Sequence, residues 1–342
     1  MRTPTTAATP APGRRLAILL MLLVLALVAA ACASDDGDAA GDAEATDAAD
    51  EADEAEPTAA DGADEAPAED LGELVVGSTN FDEQELVAEM YALALEDAGY
   101  AVDRRYQLGS REVVLPALTS GEIDVYPEYV GTALEFLNDG AGEATADTGA
   151  TTDLLRELFA EQGVDVLEPS DAEDKNGLVV RPETAEEYGL ETVSDLADVA
   201  GELTLGGPPE CPERPLCLPG YESVYGLEFA DFRSLDAGGP VTIEALDSGE
   251  IDVALMFTTD GVIAANDWVL LEDDQGLQPA ENIVPVIRTE VNTDTATEAL
   301  NAVSAVLTTG NVTEMIRQIR VDLEAPADVA EAFLSEEGVI GG

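Results

Sequence analysis

The sequence predicts an α/β protein of two similar lobes, each a mainly parallel sheet flanked by helices, with a cleft between them. Three features carry this expectation. The hexapeptide SGEIDV begins at Ser120 and again at Ser248, an offset of 128 residues. Upstream, ELVVGSTN near residue 75 has a counterpart in ELTLGGPP near residue 203, at nearly the same offset. Around both copies, apolar strand-like runs alternate with helical stretches and glycine turns, the pattern of parallel strands joined by helical crossovers. One GEIDV is a common helix-end-to-strand pattern. A second copy at the offset that also aligns the first strands marks a repeated unit.

In chain order, the first element is a targeting segment. Arg14 and Arg15 precede an apolar run from Leu16 to Ala31 that ends in small residues before Cys32. A basic start, an apolar middle and small residues at the cut make residues 1–31 an export signal. The run is too short for a comfortable membrane span of about 20 apolar residues. VAAAC resembles a lipobox, with Ala29 where leucine is usual. Cys32 is therefore expected to carry lipid as the first mature residue; an ordinary secretory signal is the alternative. Residues 32–72 then read as a tether. From Ala33 to Gly72 there are 16 acidic residues and no basic one, a composition that cannot offset the entropy of ordering. The spacing of DDGDAAGD does not fit a calcium loop.

The folded part runs from Glu73 to Gly342, long enough for two ordinary domains. It holds 57 acidic and 11 basic residues, with Lys175 the only lysine, so nucleic acid and anionic membrane surfaces are poor partners. Such an excess suits a surface adapted to high salt, where counterions screen self-repulsion. Lobe I is expected over 73–168 plus 282–342, and lobe II over 169–281. Each copy of the repeat should read strand, glycine turn, helix, strand, turn, helix, strand. In the first copy the helix is FDEQELVAEMYALALEDAG, with Leu86, Val87, Met90, Leu93 and Leu95 apolar and Gly99 as its stop. In the second, Cys211 and Cys217 lie close together among prolines in ECPERPLC. In an exported protein this pair forms a disulfide. A metal site would need further soft ligands, and the chain has no histidine and no other cysteine beyond Cys32.

At the offset of 128, Tyr129 in DVYPEYVGT aligns with Phe257, and Thr132 with Asp260. Ligands of open α/β sheets gather beyond the carboxyl ends of the strands, where both aromatics fall. If the lobes face each other, Tyr129 and Phe257 meet across the cleft. Several aromatic faces around one point attract a cation, above all a quaternary ammonium that cannot hydrogen-bond. Candidates are Phe81, Tyr126, Tyr129, Tyr221, Tyr225 and Phe257, whereas Tyr91, Tyr106 and Tyr188 read as core packing. Arg214 can grip a carboxylate bidentately or make a surface ion pair.

VGSTNFDEQELVAEMYALALEDAGY, LPALTSGEIDVYPEYVGTAL, PPECPERPLCLPGYESVYGL and DVALMFTTDGVI resemble the osmoprotectant-binding family. These are the glycine betaine/carnitine/choline-binding proteins of ABC importers, and the resemblance covers Glu73 to Gly342. It implies a type II periplasmic-binding-protein fold with a two-strand hinge, an aromatic cage for a trimethylammonium group and polar groups for a ligand carboxylate. It further implies that Tyr129 and Thr132 correspond to the family's cage tyrosine and its following threonine. The carboxylate-binding arginine falls on Arg214, a second-lobe tyrosine on Tyr225 with Tyr221 as the alternative, and the aromatic before TTD on Phe257, followed by Thr258. Phe81 joins the set after the first glycine turn. The chain departs from the family at the hinge, where EDKNGLVV places Asp174 and Asn176 in positions that often include a tyrosine. Thr79 stands where some relatives use a basic residue. The partners implied are a quaternary ammonium solute, the permease subunits of an importer and the membrane through the lipid anchor on its extracytoplasmic face, with the protein a monomer.

No cofactor, metal or catalytic residue is expected. An exported enzyme fares badly as a rival, because there is no histidine base, no GxSxG elbow and no thiol left free. A carboxylate pair could still cleave glycosides, which keeps a hydrolase among the alternatives, as is a receptor for a different small polar solute. An acidic adhesion scaffold would have no need of two matched lobes with aromatic strand ends.

Overall fold

The computed structural model describes residues 71–341. The expected export signal, the lipidated Cys32 and nearly all of the acidic tether lie outside the described residues.

The chain begins with β1 (Glu73–Gly77), α1 (Asp82–Asp97), β2 (Ala101–Arg105), α2 (Arg111–Ser120) and β3 (Val125–Tyr129). It continues through α3 (Val130–Leu137), α4 (Thr148–Ala160) and β4 (Val164–Val166). A second set follows: β5 (Asn176–Val180), α5 (Pro182–Tyr188), β6 (Thr204–Gly207), the short α6 (Leu218–Gly220) and β7 (Asp231–Ser234). This set closes with α7 (Pro240–Asp247), α8 (Gly261–Ala265) and β9 (Val269–Leu270), with β8 (Val253–Phe257) between the two helices. The chain then returns through β10 (Ile283–Arg288), α9 (Asp294–Val306), α10 (Thr309–Arg320) and α11 (Pro326–Glu336).

Two five-stranded sheets result, ordered β2-β1-β3-β10-β4 and β7-β6-β8-β5-β9. The orders match strand for strand across the repeat. Val76 of β1 pairs with Val125 of β3, and Leu205 of β6 with Val253 of β8, so even the register is shared. The repeated peptides explain this physically. A Cβ on Gly77 would lie 2.6 Å from Ile123 Cδ1, and one on Gly206 2.5 Å from Ile251 Cδ1, so each isoleucine of GEIDV packs onto a bare strand glycine. Asp124 Oδ2 accepts the Val75 N–H at 2.9 Å, and Asp252 Oδ2 accepts the Thr204 N–H at 2.9 Å. GEIDV is thus the device that docks the third strand against the first in each lobe.

The sheets are mixed rather than uniformly parallel, because β10 runs antiparallel to β3 and β5 antiparallel to β8. Both strands arrive from the other lobe. They enter at the cleft end of their sheet, opposite Tyr129 and Phe257, and must run away from it. The crossing segments, 167–175 and 271–282, lie side by side. Ser170 N donates to Ile283 O at 2.8 Å, Ile283 N to Ala172 O at 3.0 Å, and Asp174 N to Glu281 O at 3.0 Å. A two-strand link of this kind lets lobes pivot while the sheets stay intact.

Apolar side chains fill both faces of each sheet. In lobe I, Leu86, Val87, Met90 and Leu95 of α1 are buried against α9 to α11, as their periodicity predicts. Gly99 follows at φ 105°, a left-handed turn that a side chain would strain. In lobe II the repeat departs from expectation. Where α1 would recur, residues 208–226 form short turns joined by the Cys211–Cys217 disulfide. Pro212, Pro215 and Pro219 remove backbone donors and leave no room for a long helix.

Candidate functional site

A cavity of about 100 Å³ opens between the carboxyl ends of the two sheets. Its position follows from the repeat, since β3 and β8 end at the aligned Tyr129 and Phe257. Phe81, just before α1, lies between them. Its ring stacks on Phe257 with centroids 4.8 Å apart and on Tyr129 at 6.3 Å. The two repeat aromatics therefore meet through a third ring, and all three line the cavity.

Thr79, Thr132, Asp174, Asn176 and Arg214 line the same cavity. Tyr225 and Thr258, which the sequence assigns to the site, lie outside this lining. Tyr225 is buried in the lobe II core beside Tyr221, and its hydroxyl donates to Asp273. The disulfide turn draws both tyrosines inward, so neither alternative reaches the cleft. Thr258 instead ties lobe II to the crossing: its N–H donates to Lys175 O at 2.9 Å and its Oγ1 accepts the Lys175 N–H at 2.9 Å. Tyr126 is buried on the other side of its sheet, donating to Glu128 Oε1 at 2.7 Å. Asn176 Nδ2 donates to Leu216 O at 3.1 Å, bracing the disulfide turn. Arg214 reaches across the cleft, with Nη2 3.0 Å from Glu112 Oε2 of lobe I and 3.4 Å from Glu210 Oε1.

Four buried groups central to the site escaped sequence reasoning. Arg111, at the start of α2, donates through Nε and Nη2 to the two oxygens of Glu128 at 2.6 and 2.7 Å, and both side chains are buried. Arg111 Nη2 also donates to Thr132 Oγ1 at 2.8 Å. Glu83, in the first turn of α1, accepts the Tyr129 hydroxyl at 2.6 Å and the Thr259 hydroxyl of lobe II at 2.5 Å. Glu281, on the second crossing, accepts the Thr132 N–H at 3.1 Å and the Thr132 hydroxyl at 3.3 Å through Oε2. Only Glu128 carried a local clue, since it sits between the tyrosines of DVYPEY. The lobes are also latched behind the cavity by Arg320 of α10, which donates to Asp82 at 2.7 Å, to Gly238 O at 2.9 Å, and to Asp260.

Burial raises the affinity of several carboxyls for protons. It pushes Glu281 up to about 8, against the pull of the Thr132 bonds and the Arg111 charge. It lifts Glu83 as well, opposed by bonds from Thr259 and Tyr129 and by the Arg320 charge. Asp174 is held well above the usual carboxylate range, first by burial and then by its neighbour Glu83. A group with a raised folded value binds more protons folded than unfolded, so stability falls as pH climbs from the unfolded carboxylate value through the folded one. Glu112, whose value is lowered to about 2, has finished titrating below that window. The urea midpoint, taken in about 1 M salt to screen net charge, should therefore drop between about pH 5.5 and about pH 8.5. An equal or higher midpoint at the alkaline end would mean that these groups are ionised in the fold.

Comparison with known proteins agrees with this architecture. The family described as the substrate binding domain of ABC-type glycine betaine transport systems matches residues 72–336. The glycine betaine-binding protein YehZ of Escherichia coli is 31% identical over 274 residues, spanning 77% of this chain and 90% of that protein. A glycine-betaine-binding protein of Pseudomonas aeruginosa is 30% identical over 280 residues, spanning 78% and 88%. Among solved structures, a crystal structure titled as a glycine betaine/carnitine/choline ABC transporter superposes with a TM-score of 0.62 at 25% identity, covering 78% of this chain and 99% of that one. Paired sheets with matched strand ends, an aromatic-lined cleft and a family match over nearly all described residues lead to one conclusion: this chain belongs to the family of substrate-binding domains of ABC-type glycine betaine transport systems.

Proposed function

We propose that the protein is the extracytoplasmic receptor of an ABC importer, capturing a quaternary ammonium solute by lobe closure and presenting it to the permease. The observation that carries this is the wall formed by Tyr129, Phe81 and Phe257. Ring faces attract a desolvated cation by about 2 kcal/mol or more, and a quaternary head offers no hydrogen bond that would tie it to water. The paired crossing segments supply a hinge, and Thr259–Glu83 and Arg214–Glu112 supply contacts that form only when the lobes meet. The apolar run before Cys32 supports attachment of the mature chain to the outer face of the membrane by a lipid.

Calorimetric titration of the purified protein in high salt against choline, glycine betaine, carnitine and proline betaine tests the reading. At least one should bind saturably, and 3,3-dimethylbutanol, the neutral carbon isostere of choline, should bind at least about tenfold more weakly than choline, given about 1.4 kcal/mol per decade. Equal binding of the isostere, or no binding by any member of the panel, would remove the cation from the proposal.

A further inference from the structure

The polar end of the cavity already contains its own carboxylate. Thr132 stands in the first turn of α3, where an N–H and a hydroxyl converge and the helix dipole favours negative charge. With Arg111 behind the hydroxyl, this is a ready cradle for an anion. Glu281, itself only 1% exposed, fills it through Oε2. The basic side chains that line the cavity are answered too: Arg111 by Glu128, Arg214 by Glu112 and Glu210. Among the described residues, two buried oxygens of residues that line the cavity have no hydrogen-bond partner, Glu281 Oε1 and Thr79 Oγ1. A ligand carboxylate entering here would find its donors occupied and, above about pH 8 where Glu281 is ionised, would face its charge in a medium of low dielectric. A ligand hydroxyl would find an acceptor that lacks a donor, which is costly to leave unmet.

Resting on the quaternary ammonium reading, we infer that Glu281 stands in for a ligand carboxylate and makes the site selective for a quaternary ammonium cation bearing a hydroxyl, the choline class, over a zwitterion such as glycine betaine. Glu281 is then a specificity-determining residue. Its Oε1 receives the ligand hydroxyl while Oε2 stays on Thr132.

The test compares choline and glycine betaine by calorimetry at about pH 9, where Glu281 is mostly ionised, on the full chain and on Glu281→Gln and Glu281→Ala. The wild type should bind choline at least about tenfold more tightly than glycine betaine. Glu281→Ala frees the Thr132 donors and should move that ratio at least about tenfold toward glycine betaine, about 1.4 kcal/mol. Glu281→Gln keeps the shape without the charge and should move it the same way by less. The ratio is unaffected by any loss of folded fraction. A wild type that prefers glycine betaine, or a ratio unmoved by both substitutions, would overturn this inference alone. Failure of both solutes to bind the wild type would overturn it together with the quaternary ammonium reading.

Discussion

Phe257→Ala and Phe81→Ala should each weaken the binding of a quaternary ammonium ligand by at least about tenfold, since a good desolvated cation–aromatic contact contributes about 2 kcal/mol or more and about 1.4 kcal/mol is a decade. Phe81 stacks on both neighbours, so its removal also loosens Phe257 and Tyr129 and should have the larger effect. Tyr129→Phe separates two roles. The ring face remains, so affinity should hardly change, but Glu83 loses the hydroxyl that donates to it at 2.6 Å. Leaving a buried acceptor unmet costs about 1–3 kcal/mol of stability. Tyr106→Ala is the control, because its hydroxyl is committed to Glu89 at 2.7 Å and its ring packs on the lobe I core. It can destabilise the fold without changing the affinity of the folded protein. Titrations should be run in about 1 M salt, where the Debye length is about 3 Å and net charge no longer gathers cations. Wild-type affinity in both alanine variants would place the ligand away from the three rings.

Arg111→Met should destabilise the protein by about 3–5 kcal/mol, the usual consequence of stranding one member of a buried ion pair. Glu128 would keep its bonds from the Tyr126 hydroxyl and the Tyr129 N–H, but would lose both guanidinium contacts. Adding Glu128→Leu should restore part of the loss by removing the stranded charge. Restoration stays incomplete because Tyr126 and Tyr129 then lack an acceptor. Urea midpoints of the single and double variants measure both steps. A single variant within about 1 kcal/mol of wild type would class the pair with exposed ion pairs, which contribute little.

The site also explains why the residues around DVYPEYVGT are so densely polar. Tyr126 and Tyr129 point to opposite faces of β3, as alternation requires, and each finds a different carboxylate. Glu128 binds Arg111 on one side of the strand end while Glu83 holds the Tyr129 hydroxyl on the other. Tyr129, on the cavity wall, is thereby fixed through its hydroxyl and its N–H, which leaves its ring face free of polar partners.

What the sequence alone determined was everything that repeats or is periodic. The two copies of SGEIDV, the matched ELVVG and ELTLG strands and the apolar spacing of α1 set two lobes, their strand ends and the place of Tyr129 and Phe257. Those features depend on contacts between near neighbours or on a motif used twice, so they leave a trace in the order of residues. Tertiary structure alone decided the polar half of the site. Glu83 meets Thr259 across 176 residues, and Glu281 meets Thr132 across 149. With 57 acidic residues in the folded part, no local pattern distinguishes a carboxylate buried in the cleft from one on a solvated face. The same holds for Tyr225 and Thr258, which suit a binding site by type but were drawn into the lobe II core and the crossing by the disulfide turn and by β8. Burial is a property of the packed chain, and it is burial that gives one glutamate among many its raised proton affinity, its partner and its role.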